Sequence, residues 1–203
     1  MNAAEETRGT SPERFSAFSD GVIAIAITLL ILEIKVPKAE HGQLGYELGQ
    51  LWPSYIAYAV SFLTIGIMWV NHHNLSRRLV AVDHGLLYIN LALLGAISFL
   101  PFPTAVIAEY LREGGSNERS AALLYSIAMI MVSAAFTSLW WHIARRPHLI
   151  HAAQRDAVRT HARKASLGIP VYAAVAALSL VSATTALIAF GVIAMAYAFN
   201  RSE

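Results

Sequence analysis

The sequence predicts an all-α membrane protein with six membrane-spanning helices, and three observations carry that prediction. Of its 203 residues, 56% are hydrophobic and only 14% are charged, where soluble domains carry about 25% charged residues. Apolar stretches of roughly 20 residues recur along the chain, long enough as helices to cross a hydrocarbon core of about 30 Å. Lysine and arginine collect on alternate connections, the asymmetry that orients helices in a bilayer. The short alternating strands of a transmembrane β-barrel are not seen. The sequence contains no cysteine, which excludes disulfides, thiolate metal sites and a cysteine nucleophile.

The elements follow in order. Residues 1–13 are polar and read as a flexible cytoplasmic tail; no cleavable leader is evident. Ser11 is placed to cap a helix, with Pro12 at its first position. The first span is expected over residues 17–36, ending before Pro37, and a polar loop over 38–50. The second span is expected over 52–74, followed by a short connection with Arg77, Arg78, Asp83 and His84. The third covers 85–111 and contains Pro101 and Pro103, which should kink or break it. A charged loop with Gly114 and Gly115 precedes the fourth span, 121–144.

Residues 145–164 form the longest polar segment, with Arg145, Arg146, Arg155, Arg159, Arg163 and Lys164 against Asp156 alone. It reads as a basic cytoplasmic loop held by the positive-inside effect; a sharper reading is contact with anionic membrane lipids. The last apolar stretch, 165–199, would exceed 50 Å as one helix, so two short spans broken near 179–185 are expected. With both termini on the cytoplasmic side, eleven of the fifteen basic residues fall inside. No internal repeat is visible, and 1–203 reads as one domain.

The first span carries the chemistry. On a helical wheel Phe18, Gly21, Val22, Ile25, Thr28, Leu29, Leu32 and Val36 share one face, apolar except for Thr28. Asp20 and Ser16 lie on the opposite side. An ionisable group inside a span is costly and marks function by default. Candidate partners for Asp20 are Arg14, His72 and His73, with Asn71, Asn74, Asn90 and Trp69 as further hydrogen-bonding groups. Two readings of Asp20 stay open: it holds helices together, or it binds a proton or cation. Adjacent His72 and His73 do not face each other on a helix, so no structural metal is expected. No phosphate loop, nucleophile elbow or metalloprotease motif is present, and five further histidines (His41, His84, His148, His151, His161) fall in connections. No enzyme activity, cofactor or nucleic-acid partner is expected.

Arg14, Phe18-Ser19-Asp20, the apolar run that follows and Leu32-Glu33-Ile34 before Val36-Pro37 resemble the first-helix signature of the transmembrane protein 175 family of potassium channels. The resemblance continues through Trp69 and His72-His73, Asn90-Leu91, and the run from Ser98 to Thr104. It implies a homotetramer of six-helix subunits, of the bacterial single-repeat type and placed in the cytoplasmic membrane, with the first helix of each lining a pore. It implies that Ile25 is the narrowest point, with Thr28, Leu29 and Leu32 continuing outward. Arg14, Phe18, Ser19, Asp20, Trp69, His72, His73 and Asn90 would then form a supporting polar network outside the ion path. Potassium ions would pass near Ile25 and Thr28.

The chain has no carbonyl-filter loop of the Thr-Val-Gly-Tyr-Gly kind. An isoleucine ring cannot replace a hydration shell. Selectivity for K⁺ would therefore be weak to moderate, resting on its easier dehydration relative to Na⁺, and the constriction could close by dewetting. No arginine-rich voltage-sensing helix is seen. The competing reading is a proton-coupled transporter using Asp20 and His72 or His73. Transporters commonly show broken helices and internal repeats; only the third span is expected to break.

Overall fold

A computed structural model describes residues 11–199. Nine α-helices account for most of them. α1 spans Pro12–Leu29 and tightens into a 3₁₀ turn at Leu30–Glu33. α2 is Leu44–Gln50, α3 Trp52–Ser76, α4 His84–Phe99, α5 Pro101–Tyr110 and α6 Gly115–Ala144. Two 3₁₀ turns, Pro147–Leu149 and Ala152–Gln154, lead to α7 (Arg155–Ser166), α8 (Gly168–Ser179) and α9 (Ala183–Phe199).

The start of α1 follows from its sequence. Ser11 has extended backbone, its hydroxyl accepts from the Arg14 amide, and Pro12 fills the first turn, where a missing N–H costs nothing. The end of α1 corrects the expected span. Helical structure stops at Glu33, and Ile34 is already extended, so Val36 lies beyond the helix. Pro37 disfavours helical geometry in the residue before it. The expected loop 38–50 likewise contains a short helix, α2.

Among the described residues, four stretches are long and apolar enough to cross a membrane: Pro12–Glu33, Trp52–Ser76, His84–Tyr110 and Gly115–Ala144. The third breaks where its prolines stand. Leu100 ends α4 and begins α5, and Pro101 and Pro103 bring no N–H to the ladder. The Leu100 carbonyl accepts twice from Thr104, from its amide at 3.1 Å and from its hydroxyl at 2.8 Å, both inside the bundle. Ser61 on α3 lies 2.8 Å from the Thr104 oxygen and 3.0 Å from the Tyr125 hydroxyl on α6. The break is thereby pinned to both neighbouring helices. The final apolar stretch divides between α8 and α9 at residues 180–182, inside the interval the sequence marked.

α6 is the centre of the bundle. It contacts α4, α5, α7, α8 and α9, while α1 packs on α3 and α4 at the edge, and α9 closes against α3, α6 and α8. Close approach of α8 to α6 requires Gly168, since a Cβ there would stand 2.4 Å from the Ser133 hydroxyl oxygen.

Segment 145–164 is not a loop throughout, contrary to its sequence reading. Its second half is the helix α7, because Val158 and Ala162 recur at helical spacing and bury against the bundle. At the same end of the molecule Asp83 caps α4, accepting from the Leu86 amide at 2.7 Å and bonding to His142 at 2.9 Å and to Arg146. Burial pushes the Asp83 carboxyl up. The Leu86 amide, His142 and Arg146 outweigh burial and hold the carboxyl down at about 2. The Val80 amide donates to the Leu149 carbonyl at 2.9 Å, joining the α3–α4 and α6–α7 connections.

Candidate functional site

α1 has two unlike faces. Phe15, Ser19, Ile23, Ala26 and Leu30 are buried against α3 and α4. Phe18, Ile25, Leu29 and Leu32 project outward from the bundle, 56%, 61%, 42% and 70% exposed. Thr28 shares this outward face. Its hydroxyl sits 3.0 Å from the Ala24 carbonyl and 2.9 Å from that of Ile25, so its proton is spent on the helix backbone. The oxygen keeps lone pairs that can still accept. From Leu30 the 3₁₀ turn winds by about 120° per residue rather than 100°. Ile31, seven residues after the exposed Ala24, also lies on the exposed surface, at 52%.

The inward face carries a polar network in two branches. In the first, the Trp69 indole N–H donates to Asp20 Oδ1 at 2.9 Å, and the Ser16 hydroxyl donates to Asp20 Oδ2 at 3.3 Å. Ser16 in turn lies 3.2 Å from the Ser76 hydroxyl. In the second, the Ser19 hydroxyl donates to the Phe15 carbonyl, Asn90 Nδ2 donates to Ser19 Oγ, and His72 Nε2 bonds Asn90 Oδ1, each at 2.9 Å. Since an amide oxygen only accepts, this geometry requires the proton on His72 Nε2. The Phe15 ring stacks on His72 with centroids 5.5 Å apart. Three helices, α1, α3 and α4, are thus keyed together in rotation.

The structure sorts the predicted residues. Ser19, Asp20, Trp69, His72 and Asn90 lie within the network. Asp20 is met by Trp69 and Ser16, not by the arginine or histidines expected as partners. The Arg14 side chain is exposed and makes no hydrogen bond among the described residues. Phe18 is on the outward face and outside the hydrogen bonds. His73 touches the Trp69 ring at 5.8 Å, and its buried Nδ1 has no partner among the described residues. Asn71 and Asn74 do not join either branch. Sequence reasoning missed Ser76, Phe15 and the Asp83–His142–Arg146 cluster. Asp83 was legible as a cap, because aspartate just before an apolar helical run fills that role.

Among the described residues no group of three or more histidine, aspartate or glutamate side chains stands at metal-binding distance. The site can tether a helix by its polar face and present an apolar face with one hydroxyl, that of Thr28.

Comparison with known proteins bears on this arrangement. The profile of the family described as "Endosomal/lysosomal potassium channel TMEM175" matches residues 14–101. A protein of Streptomyces collinus named as a potassium channel is 48% identical over 193 residues, 93% of this chain and 92% of its own. The crystal structure of a lysosomal potassium-selective channel TMEM175 homolog from Chamaesiphon minutus superposes with a TM-score of 0.85 at 38% identity, covering 95% of this chain and 98% of that one. The endosomal/lysosomal proton channel TMEM175 of Gallus gallus is 34% identical over 139 residues, 64% of this chain but 28% of its own length. A segment rich in fold-defining polar pairs, full-length similarity to bacterial relatives and a matching three-dimensional arrangement agree: the chain is an integral membrane protein of the TMEM175 family, a family of ion channels and not of enzymes.

Proposed function

We propose that four copies of this chain assemble around a central axis, each contributing the outward face of α1 to a potassium-permeable pore. Each copy would span the bacterial cytoplasmic membrane six times as a single domain, with both termini inside. The observation that carries this reading is the division of α1: Asp20 is bonded back into the subunit, while Ile25, Leu29 and Leu32 stand open on the other side. The potassium-channel names of the bacterial relatives support it.

In this reading Ile25 forms the constriction. A ring of isoleucine side chains offers no ligand, so an ion crosses it partly dehydrated. K⁺ gives up water more readily than Na⁺, and the ring therefore discriminates without a carbonyl filter. Thr28 hydroxyls, one turn further out, would receive the ion on the far side of the ring. Leu29 and Leu32 keep the remaining lining apolar and able to dewet. The network of Ser19, Asp20, Trp69, His72 and Asn90, flanked by Arg14, Phe18 and His73, fixes the rotation of α1 so that Ile25 meets its counterparts. The proton-coupled reading is less well supported, because Asp20 and His72 are engaged with neighbours on the face turned from Ile25.

Purified protein in liposomes under opposed K⁺ and Na⁺ gradients tests the proposal. The wild type should reverse on the K⁺ side of zero. Ile25→Asn should wet the ring and move the reversal potential toward zero by admitting Na⁺. An unchanged reversal potential in the variant, or K⁺ flux from a protein that stays monomeric in mild detergent, overturns it.

A further inference from the structure

α7 and α8 form one nearly continuous rod, since Leu167 between them keeps right-handed helical angles. Its outward chemistry changes at one level. Before Leu167 the exposed residues include Arg155, Arg159, Arg163 and Lys164; from Leu167 onward they include Leu167, Val171 and Leu178. Arg159, Arg163, Leu167 and Val171 succeed one another at four-residue intervals and so follow one ridge. Arg163 stands only about 6 Å along the axis from Leu167. A cationic surface therefore meets an apolar one within a single turn.

The rod cannot roll to hide these charges. Val158 and Ala162 are buried on its other side, and His161 stacks on Trp140 of α6 with centroids 4.9 Å apart. None of Arg155, Arg159, Arg163 and Lys164 has a carboxylate partner among the described residues. A further cation is held at the same level: Arg145 lies over the Trp141 ring at 5.4 Å, and the Trp141 indole donates to the Ser166 hydroxyl at 2.9 Å.

We infer that the face formed by Arg159, Arg163 and Lys164, with Arg145 beside it, seats the headgroups of anionic phospholipids. The phosphate diester meets unpaired cations, and the acyl chains below it lie along Leu167 and Val171. A soluble acidic protein or free phosphate would match the charges and leave the apolar ridge unused. The inference requires a membrane protein and is independent of whether α1 lines a pore.

The full chain, reconstituted in phosphatidylcholine bilayers with a minority of phosphatidylglycerol, is the test, with bound lipid counted by native mass spectrometry. Phosphatidylglycerol should be retained about fivefold above its share of the bilayer, roughly the gain from one basic residue at a surface. The triple variant R159Q/R163Q/K164Q should bring retention near the bulk share, while R159K/R163K and the distant control K38Q/R119Q should keep it. Where the triple variant does not fold, the wild type decides. Raising salt to about 1 M, where screening acts within about 3 Å, should remove most of the enrichment. Equal retention of the two lipids, enrichment that survives the triple variant or high salt, or displacement of the lipid by millimolar inorganic phosphate overturns the proposal.

Discussion

The two halves of the chain hold their helices together by different means. From α1 to α5, contacts between helices run through polar side chains: Asp20 with Trp69, Asn90 with Ser19 and His72, Ser61 with Thr104. From α6 to α9 they run chiefly through small and aromatic surfaces, with Gly168 against Ser133 and Phe190 between Tyr125 and Tyr172. Lipid tails are as apolar as leucine, so apolar contact between helices in a membrane is worth only its packing. It fixes how near two helices stand but leaves their rotation loosely specified. A hydrogen bond between named atoms fixes rotation as well. The half that presents α1 needs a defined rotation, and the buried bonds of Asn90 with Ser19 and His72 lie there; the polar bonds of the other half, Thr137 to the Ala165 carbonyl and Trp141 to Ser166, are only part-buried at the end of α7.

Three substitutions would break or sharpen this contrast. The largest effect is expected from Asn90→Leu, which leaves the His72 Nε2–H and the Ser19 hydroxyl without their shared partner. We expect a loss of about 3 kcal/mol in unfolding free energy, read by titration with denaturing detergent, together with altered K⁺ flux from a freed α1. Gly168→Ala should cost about 2 kcal/mol by overpacking against Ser133, lower the melting temperature and leave flux per folded channel unchanged. Adding Ser133→Ala should recover part of the loss. If both single variants change flux equally, the two halves are not distinct in role.

The smallest effect at neutral pH is expected from Asp83→Asn, about 1 kcal/mol, because asparagine still caps α4 but loses its charge-assisted bonds. Its signature is pH dependence. The Asp83 carboxyl titrates at about 2 in the folded chain, below its ordinary value of 3.8. Its contribution is therefore complete above about pH 4 and is lost as pH falls toward 2. Stability profiles of wild type and Asp83→Asn should run parallel above pH 5 and converge between pH 4 and 2.

Much of the fold was legible in the sequence because membrane helices announce themselves by length and composition. Ser11 and Pro12 marked where α1 begins, and Pro101 marked where α4 gives way to α5. What stayed hidden depended on weak or competing signals. α7 was masked by its charge, since only Val158 and Ala162 carry its buried stripe. The 3₁₀ turn at Leu30–Glu33 has no composition of its own and reflects the chain preparing to leave the helix. At the site, the sequence marked Asp20 as needing a partner but could not choose among seven. That choice is set by the rotation of α3 relative to α1, a tertiary quantity. The indole of Trp69 came to face the carboxylate, while the imidazole of His72 turned to Asn90.

Val80 and Leu149 are separated in sequence by the whole of α4, α5 and α6, yet one main-chain bond joins them. During synthesis the amide emerges long before the carbonyl it will meet. The clasp can close only after the intervening helices have been threaded and stacked, so it belongs among the last events of maturation. A subunit released before that step would have its long helices inserted but those two turns still apart, a difference that quality-control proteases could read.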